Sequence, residues 1–93
     1  MKILFIHWTE DSADHIARHG ITPEEVEEAC HRSPHIRRGR GPKKRKIYEV
    51  YGRSDAGRYL FVVVRFVEAT GVVIITARDM DTGERRKYQG VQR

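Results

Sequence analysis

Two apolar runs, RYLFVVVRFVE at residues 58–68 and VVIITAR at residues 72–78, are separated only by the short segment ATG. Both runs are rich in β-branched and aromatic residues, which favours β-strands. Thr70 and Gly71 supply a turn, and two strands joined by so short a turn are antiparallel neighbours. This hairpin is therefore the centre of the predicted fold.

A third strand is predicted directly before the hairpin. Residues 46–53 read KIYEVYGR, and the turn-forming segment SDAG at residues 54–57 connects them to the first apolar run. The third strand therefore extends the sheet in the same antiparallel manner.

The N-terminal part of the chain predicts a short strand over Ile3–Trp8 and two helices. The first helix runs from about Ser12 to His19 and ends at Gly20, because glycine readily adopts the left-handed backbone of a helix C-terminus. Thr22-Pro23-Glu24-Glu25 predicts the start of the second helix, with a capping box and a proline in the first turn. That helix ends near His31.

The last predicted element is a short helix over residues 81–88, capped by Asp81 or Thr82. The element order is then β-α-α-β-β-β-α. We therefore expect an α+β fold in a single domain spanning residues 1–93. Its sheet is four-stranded and largely antiparallel, with the two N-terminal helices on one face and the short C-terminal helix at the end. Residues 32–46 are predicted to form a basic loop.

Composition limits the class of protein. With 39% hydrophobic and 33% charged residues in 93, the chain predicts a soluble domain with a modest core. No stretch approaches the roughly 20 apolar residues of a membrane span. Residues 1–8 are too short for the apolar region of a signal peptide, which predicts a cytoplasmic protein without a membrane partner. Cys30 is the only cysteine, so an internal disulfide is excluded.

Positive charge is concentrated in the loop. Between Glu28 and Glu49 there is no acidic residue, whereas the rest of the chain has ten Lys and Arg against thirteen Asp and Glu. Such a local field attracts polyanions, which predicts a nucleic-acid partner; the alternative is a solvated, flexible loop. The eight basic residues are Arg32, Arg37, Arg38, Arg40, Lys43, Lys44, Arg45 and Lys46.

Three arginines stand at the ends of predicted strands. Arg53 and Arg58 flank the turn at residues 54–57, and Arg78 ends the last strand, on the face of Val72 and Ile74. Guanidinium groups bind phosphate with a planar fork, so the three can converge on one phosphate. The alternative is that each arginine pairs with a surface carboxylate.

On the first helix, His15, Arg18 and His19 are spaced by three and four residues and share one side. A histidine beside an arginine can transfer a proton while the arginine holds an anion. Two histidines at this spacing are only a weak zinc signal without a third ligand, so no metal and no cofactor are predicted. His7, His31 and His35 are interpreted as ordinary surface residues.

A third group lies on the C-terminal helix. Glu84, Arg85 and Tyr88 recur at helical spacing and offer a proton acceptor, a cation and a proton donor to a phosphodiester. The alternative is a network of contacts within a solvent-facing helix.

Taken together, these motifs resemble a known family. They are Trp8, the HxxxHG pattern of residues 15–20, the TPEEV start at residue 22, the GRSxxGRYLFVVV stretch of residues 52–64, and ITARDM followed by ERRxY. In this order they resemble the BrnT-type toxins of bacterial type II toxin–antitoxin systems. The resemblance covers nearly the whole chain outside the loop.

The resemblance implies a RelE-like ribonuclease fold, growth arrest by RNA cleavage and neutralisation by a DNA-binding antitoxin. The sequence departs from the family pattern twice. Arg18 precedes His19-Gly20 where the family usually has lysine, and the basic loop replaces a segment that is commonly rich in aspartate. The residues that the resemblance brings to the site are Arg18, His19, Arg53, Arg58, Arg78, Arg85 and Tyr88.

The expected reaction is attack of a ribose 2′-hydroxyl on its own phosphodiester, without a metal. His19 or Glu84 is the expected proton acceptor and Tyr88 or His15 the donor. Arg53, Arg78 and Arg85 are expected to hold the phosphate, with Arg18, Arg58 and the loop as further RNA contacts. The expected partners are RNA and a BrnA-like ribbon-helix-helix antitoxin, in a possible heterotetramer. The alternatives are a non-catalytic RNA-binding module and an accessory subunit.

Overall fold

A computed structural model describes residues 1–91 of the chain, and its elements follow from local sequence signals. The order is β1 (Phe5–Ile6), α1 (Glu10–Ala17), α2 (Pro23–His31), β2 (His35–Arg38), a short 3₁₀ helix (Lys43–Arg45), β3 (Ile47–Arg53), β4 (Tyr59–Phe66), β5 (Gly71–Asp79) and α3 (Thr82–Val91). The fold is α+β, with three helices and one five-stranded mixed sheet among the described residues.

The sheet has the strand order β1-β5-β4-β3-β2. The predicted antiparallel pairs β3–β4 and β4–β5 are confirmed, with Tyr51 opposite Phe61 and Phe61 opposite Arg78. The first strand is shorter than the predicted Ile3–Trp8 and pairs with β5 in parallel. The prediction of four strands was wrong, because the segment interpreted as a loop contains a strand.

That fifth strand, β2, is antiparallel to β3 and lies at the edge of the sheet. His35 pairs with Tyr51, and Arg38 pairs with Tyr48. Arginine-rich sequence carries little strand propensity, so the pairing depends on the edge that β3 offers rather than on a local pattern. Residues 32–46, which were predicted to form a loop, therefore include a strand and a short 3₁₀ helix. We call this segment the hairpin arm.

Capping residues determine where the helices begin. Thr22 and Glu25 form the predicted capping box, with Pro23 in the first turn of α2. The helix α1 begins at Glu10 rather than Ser12, because Thr9 and Ser12 cap each other's backbone amides. It ends at Ala17, before the predicted end at His19, and Gly20 has the expected left-handed backbone, with φ of 72°.

The helices α1 and α2 pack on one side of the sheet, here called the helical face. The core on this face is formed by Ile16, Val26, Leu60, Val62 and further apolar side chains. Close approach of α2 requires Gly52 on β3, where an added Cβ would lie 2.2 Å from the Ala29 carbonyl oxygen. No helix of residues 1–91 combines the length and the apolar character that a membrane crossing requires.

The opposite side, here called the α3 face, carries α3 and a smaller apolar cluster of Tyr51, Phe61, Met80 and Tyr88. An irregularity in the β4–β5 pairing places Val63 opposite Thr76 but Val64 opposite Ile74. Because one extra residue of β5 lies between these pairs, alternation is interrupted. Arg78 therefore lies on the α3 face, whereas Val72 and Ile74 belong to the helical face, contrary to the prediction that all three share one face.

Candidate functional site

The α3 face brings cations from two separate elements onto one aromatic ring. Arg53 ends β3 and its Cζ lies 5.0 Å from the ring centroid of Tyr59. Arg85 comes from the first half of α3 and its Cζ lies 4.3 Å from the same centroid. Across residues 1–91, neither guanidinium is in an ion pair. Two uncompensated cations at one ring form a site for an anion.

Hairpin register explains this convergence. Arg53 and Tyr59 are directly paired across β3 and β4, at the end where the turn joins them. Directly paired residues have neighbouring side chains on the same face of a sheet. The helix α3 adds Arg85 and Gln89, one helical turn apart, and the Gln89 side-chain amide donates to the Tyr59 hydroxyl at 3.1 Å. We call Arg53, Tyr59, Arg85 and Gln89 the arginine–tyrosine cluster.

The cluster changes the acidity of its phenol. The hydrogen bond from Gln89 is the largest effect that lowers the pKa of Tyr59 below its usual value. The positive charges of Arg53 and Arg85 act in the same direction, because they stabilise the phenolate. A phenol with a lowered pKa is a better proton donor to a leaving oxygen.

Tyr88 lies beside the cluster, with its ring 6.0 Å from that of Tyr59 in an edge-to-face arrangement. Burial raises the pKa of Tyr88, although Arg53 partly opposes the effect. The side chain is 6% exposed and packs in the small apolar cluster. Tyr88 therefore supports the Tyr59 ring.

Arg78 is on the same face but has a different set of partners. Its Cζ lies 4.2 Å from the ring centroid of Phe61, and its two terminal nitrogens donate to the Glu84 carboxylate at 2.8 and 2.9 Å. Glu84 also accepts from the Asp81 amide, while Asp81 caps the Glu84 amide, as predicted for the start of α3. The hydrogen bonds from Arg78 lower the pKa of Glu84, so this carboxylate is a weak base.

A groove of about 650 Å³ runs along the other side of Tyr88. It is lined by His35 and Arg37 of β2, Tyr51 of β3, and Glu84 and Lys87 of α3, among others. The His35 ring lies 6.1 Å from that of Tyr51. His35 was interpreted as an ordinary surface residue because the pairing of β2 cannot be read from a loop-like sequence.

Arg58, which was predicted to bind RNA, is held by protein groups. It donates to both oxygens of Asp79 at 2.7 and 3.0 Å, to the Gly20 carbonyl at 2.8 Å, and to Glu25 at 3.3 Å. These partners belong to β5 and to the ends of the first two helices. The Arg58 guanidinium therefore links these elements and is not free to bind a phosphate.

The residues predicted from the first helix lie in another part of the molecule. The His15 ring contacts the Thr76 hydroxyl at 2.9 Å and lies 5.6 Å from the ring of His19. Arg18 is exposed at the end of α1. Within residues 1–91, no hydrogen bond, ion pair or ring contact joins these three to the arginine–tyrosine cluster.

The described part of the chain contains neither a metal site nor a reactive thiol. Residues 1–91 contain no cluster of three His, Cys, Asp or Glu side chains suited to a metal ion. Burial raises the pKa of the Cys30 thiol to about 12, so this side chain is a packed apolar group.

The basic residues of the hairpin arm divide between the two faces of the sheet. Arg37 bonds to Glu49 at 3.0 Å on the α3 face. Arg38, Lys43 and Lys46 line a groove on the helical face. Across residues 1–91, no ion pair involves Arg38, Arg40, Lys43, Lys44, Arg45 or Lys46.

Neither protein-family models nor curated proteins match the chain. The candidate site therefore stands on its own geometry. Sequence reasoning placed Arg53, Arg78 and Arg85 around one anion; the structure brings Arg53 and Arg85 together and pairs Arg78 with Glu84. The prediction from sequence did not include Tyr59 or Gln89. The signal for Tyr59 was the SDAG turn, since the register of that hairpin places Tyr59 opposite Arg53.

Proposed function

We propose that this protein is a metal-independent endoribonuclease and the toxin of a BrnT-like type II toxin–antitoxin pair, with a RelE-like fold. The observation that carries the proposal is the convergence of the unpaired Arg53 and Arg85 on the phenol of Tyr59. A phosphodiester requires cations at its oxygens and a proton donor at the leaving group, and this cluster offers both. The motifs that resemble BrnT toxins support the same conclusion.

In this proposal Arg53 and Arg85 hold the non-bridging phosphate oxygens. The 2′-oxygen bonds to phosphorus while the bond from phosphorus to the 5′-oxygen breaks, leaving a cyclic phosphate and a 5′-hydroxyl. Tyr59 donates its proton to the departing 5′-oxygen. The proton of the 2′-hydroxyl would pass through water to His35, which lines the groove on the other side of Tyr88. Arg78 and Glu84 position α3 against β5.

These roles differ from the assignments made on sequence. Tyr59 replaces Tyr88 and His15 as the donor, since its pKa is lowered and both guanidinium groups lie against its ring. His35 replaces His19 and Glu84 as the acceptor, because Arg78 holds the Glu84 carboxylate. His35→Ala should lower cleavage by about 10² to 10⁴. His31→Ala, on an exposed histidine outside the groove, is its matched control.

The test is cleavage of a short RNA by purified protein, with analysis of the product ends. The Arg53→Gln/Arg85→Gln variant should lose at least about 10² in rate, as for other transition-state charge stabilisers. Lys2→Gln/Arg65→Gln removes the same charge at exposed positions outside the cluster and should retain activity. Products without cyclic-phosphate ends, or equal losses in the two variants, would overturn the proposal.

A second function is favoured by one observation. Glu84 is paired with Arg78, and within residues 1–91 no carboxylate is in an ion pair with Arg53 or Arg85 of the cluster. A non-catalytic RNA-binding module would need only the cations and rings. A protein that retards RNA in a gel yet never yields cyclic-phosphate ends would establish this alternative.

The proposed cellular partners follow from the toxin assignment. A BrnA-like ribbon-helix-helix antitoxin would neutralise the protein in the cytoplasm, in a heterotetramer. Because the hairpin arm is basic, an antitoxin that binds it should contact it through acidic residues. Light scattering of the co-expressed pair tests the assembly directly.

A further inference from the structure

Two neighbouring arginines on the edge strand lead to different grooves. Arg37 lines the groove on the α3 face, whereas Arg38 lines a second groove of about 530 Å³. Successive side chains of a strand point to opposite faces, so β2 carries positive charge around the edge of the sheet. The second groove, which we call the lysine groove, lies on the helical face beyond the two helices.

The floor of the lysine groove is aromatic. Tyr48 of β3 is half-buried, and its ring meets that of Phe66 edge to face at 5.3 Å between centroids. Tyr48 is also paired with Arg38 across the β2–β3 ladder. A partly exposed ring held beside a guanidinium can stack a nucleic-acid base.

The cations of the groove are uncompensated. Lys43, Lys46 and Arg38 line it, and in the described chain none of them is in an ion pair. The one acidic residue of the lining, Glu68, is in contact with His7. The groove therefore attracts a negatively charged ligand.

The lysines are held by ordered backbone rather than by a flexible loop. Lys43 begins the 3₁₀ helix, and the Lys46 amide donates to the Lys43 carbonyl at 3.1 Å. Lys46 is in the left-handed conformation, with φ of 55°, and its carbonyl accepts from the Phe66 amide at 3.0 Å. This arrangement holds the two lysines beside the aromatic floor before any ligand arrives.

We propose that the lysine groove is a second subsite for single-stranded RNA, in which the three cations bind phosphates and Tyr48 stacks a base. One RNA strand would then cross the β2 edge between the two faces. This inference rests on the proposed function, because the other end of the strand must bind the arginine–tyrosine cluster on the α3 face. Duplex RNA does not fit, because its bases are already stacked and it cannot fold around a single strand edge.

The test uses 2′-O-methyl RNA, which lacks the attacking hydroxyl, so that binding is measured apart from cleavage. Fluorescein-labelled strands of about 4 and about 12 nucleotides cover the lengths that small domains bind. The Lys43→Gln/Lys46→Gln variant should bind the longer strand at least about fivefold more weakly than wild type. Lys44→Gln/Arg45→Gln removes the same charge from the same 3₁₀ helix, outside the groove, and should have a smaller effect.

Equal losses in the two double variants would mean a diffuse field and would overturn the subsite. Tyr48→Leu should also weaken binding of the longer strand but not of the shorter one. A thermal melt checks that this variant is folded. Equal binding of a matched duplex, or displacement of RNA by an acidic peptide at equal concentration, would overturn it as well. If cleavage of ordinary RNA fails while the longer strand still distinguishes the variants, only the proposed function is lost.

Discussion

At the scale of single residues, Tyr59 joins groups that the chain keeps far apart. Arg53, Arg85 and Gln89 all meet at its ring or hydroxyl. The alternation of β4 places this ring on the α3 face beside Phe61, which holds Arg78 in the same way. One strand therefore presents two aromatic platforms for arginine.

Tyr59→Phe keeps the ring and removes the acid. We expect RNA cleavage to fall by about 10² to 10⁴, while binding of non-cleavable RNA is unchanged because both arginines keep their platform. Single-turnover cleavage and fluorescence anisotropy measure the two quantities. A variant that cleaves at the wild-type rate would remove Tyr59 from the reaction.

The pH dependence follows from the lowered pKa of Tyr59. A donor must be protonated, so the rate should decline as the pH rises through that pKa, which lies below the usual value of about 10. Gln89→Met removes the largest stabilisation of the phenolate and should move this decline to higher pH. Rate profiles of wild type and variant, taken between neutral and strongly alkaline pH, check the direction of the shift.

Gly52 is required by packing. In Gly52→Ala the new Cβ would lie 2.2 Å from the Ala29 carbonyl oxygen, so β3 and α2 must separate. We expect a loss of about 1 to 3 kcal/mol in the free energy of unfolding, measured by urea denaturation. Gly90→Ala is the control: it meets no atom within 4 Å and should be neutral or stabilising, because alanine favours a helix.

At the scale of elements, Arg58 connects the start of β4 with β5 and with both N-terminal helices. Its hydrogen bonds lower the pKa of Asp79. Since the carboxylate is favoured by folding, this contribution is complete above about pH 4, the usual pKa of an unfolded aspartate. It is lost as the pH falls through the lower pKa of the folded state.

Arg58→Gln should therefore lower the melting temperature at neutral pH and flatten the dependence of stability on pH below about 4. Thermal melts across that range provide the measurement. Arg65→Gln, on an exposed arginine of β4, should leave both properties unchanged. A wild-type acid dependence retained in the Arg58 variant would show that other carboxylates cause it.

At the scale of the whole molecule, charge is divided unevenly. The hairpin arm carries the positive excess, while Glu24, Glu27 and Glu28 lie along α2 on the helical face. Such a division orients a polyanion toward the arm and the α3 face before contact. The proposed toxin would use this field to capture RNA quickly.

Expression of the wild-type protein in a bacterium should arrest growth. Co-expression of a ribbon-helix-helix protein encoded by the neighbouring open reading frame should restore growth. The Arg53→Gln/Arg85→Gln variant should be tolerated, since it lacks the proposed phosphate site. Growth curves with equal protein levels decide the comparison. Equal arrest by the folded variant would assign the toxicity to something other than RNA cleavage.

Local signals were sufficient for much of the architecture. The capping box at Thr22, the glycine at residue 20 and the apolar run of β4 each act within a few residues. They were therefore sufficient to predict α2, the left-handed turn after α1 and the central antiparallel strands. The fifth strand was not predictable, because β2 exists only where the edge of β3 offers hydrogen bonds.

The candidate site divides in the same way. Residue types and turn signals were enough to list the available cations and to place Arg53 at a strand end beside a turn. Three features appear only in the folded chain: Arg85 joins Arg53 at Tyr59, Glu84 pairs with Arg78, and one extra residue in β5 turns Arg78 onto the α3 face. They depend on strand register and helix packing, which determine the partners that a long side chain can reach and which local spacing does not encode.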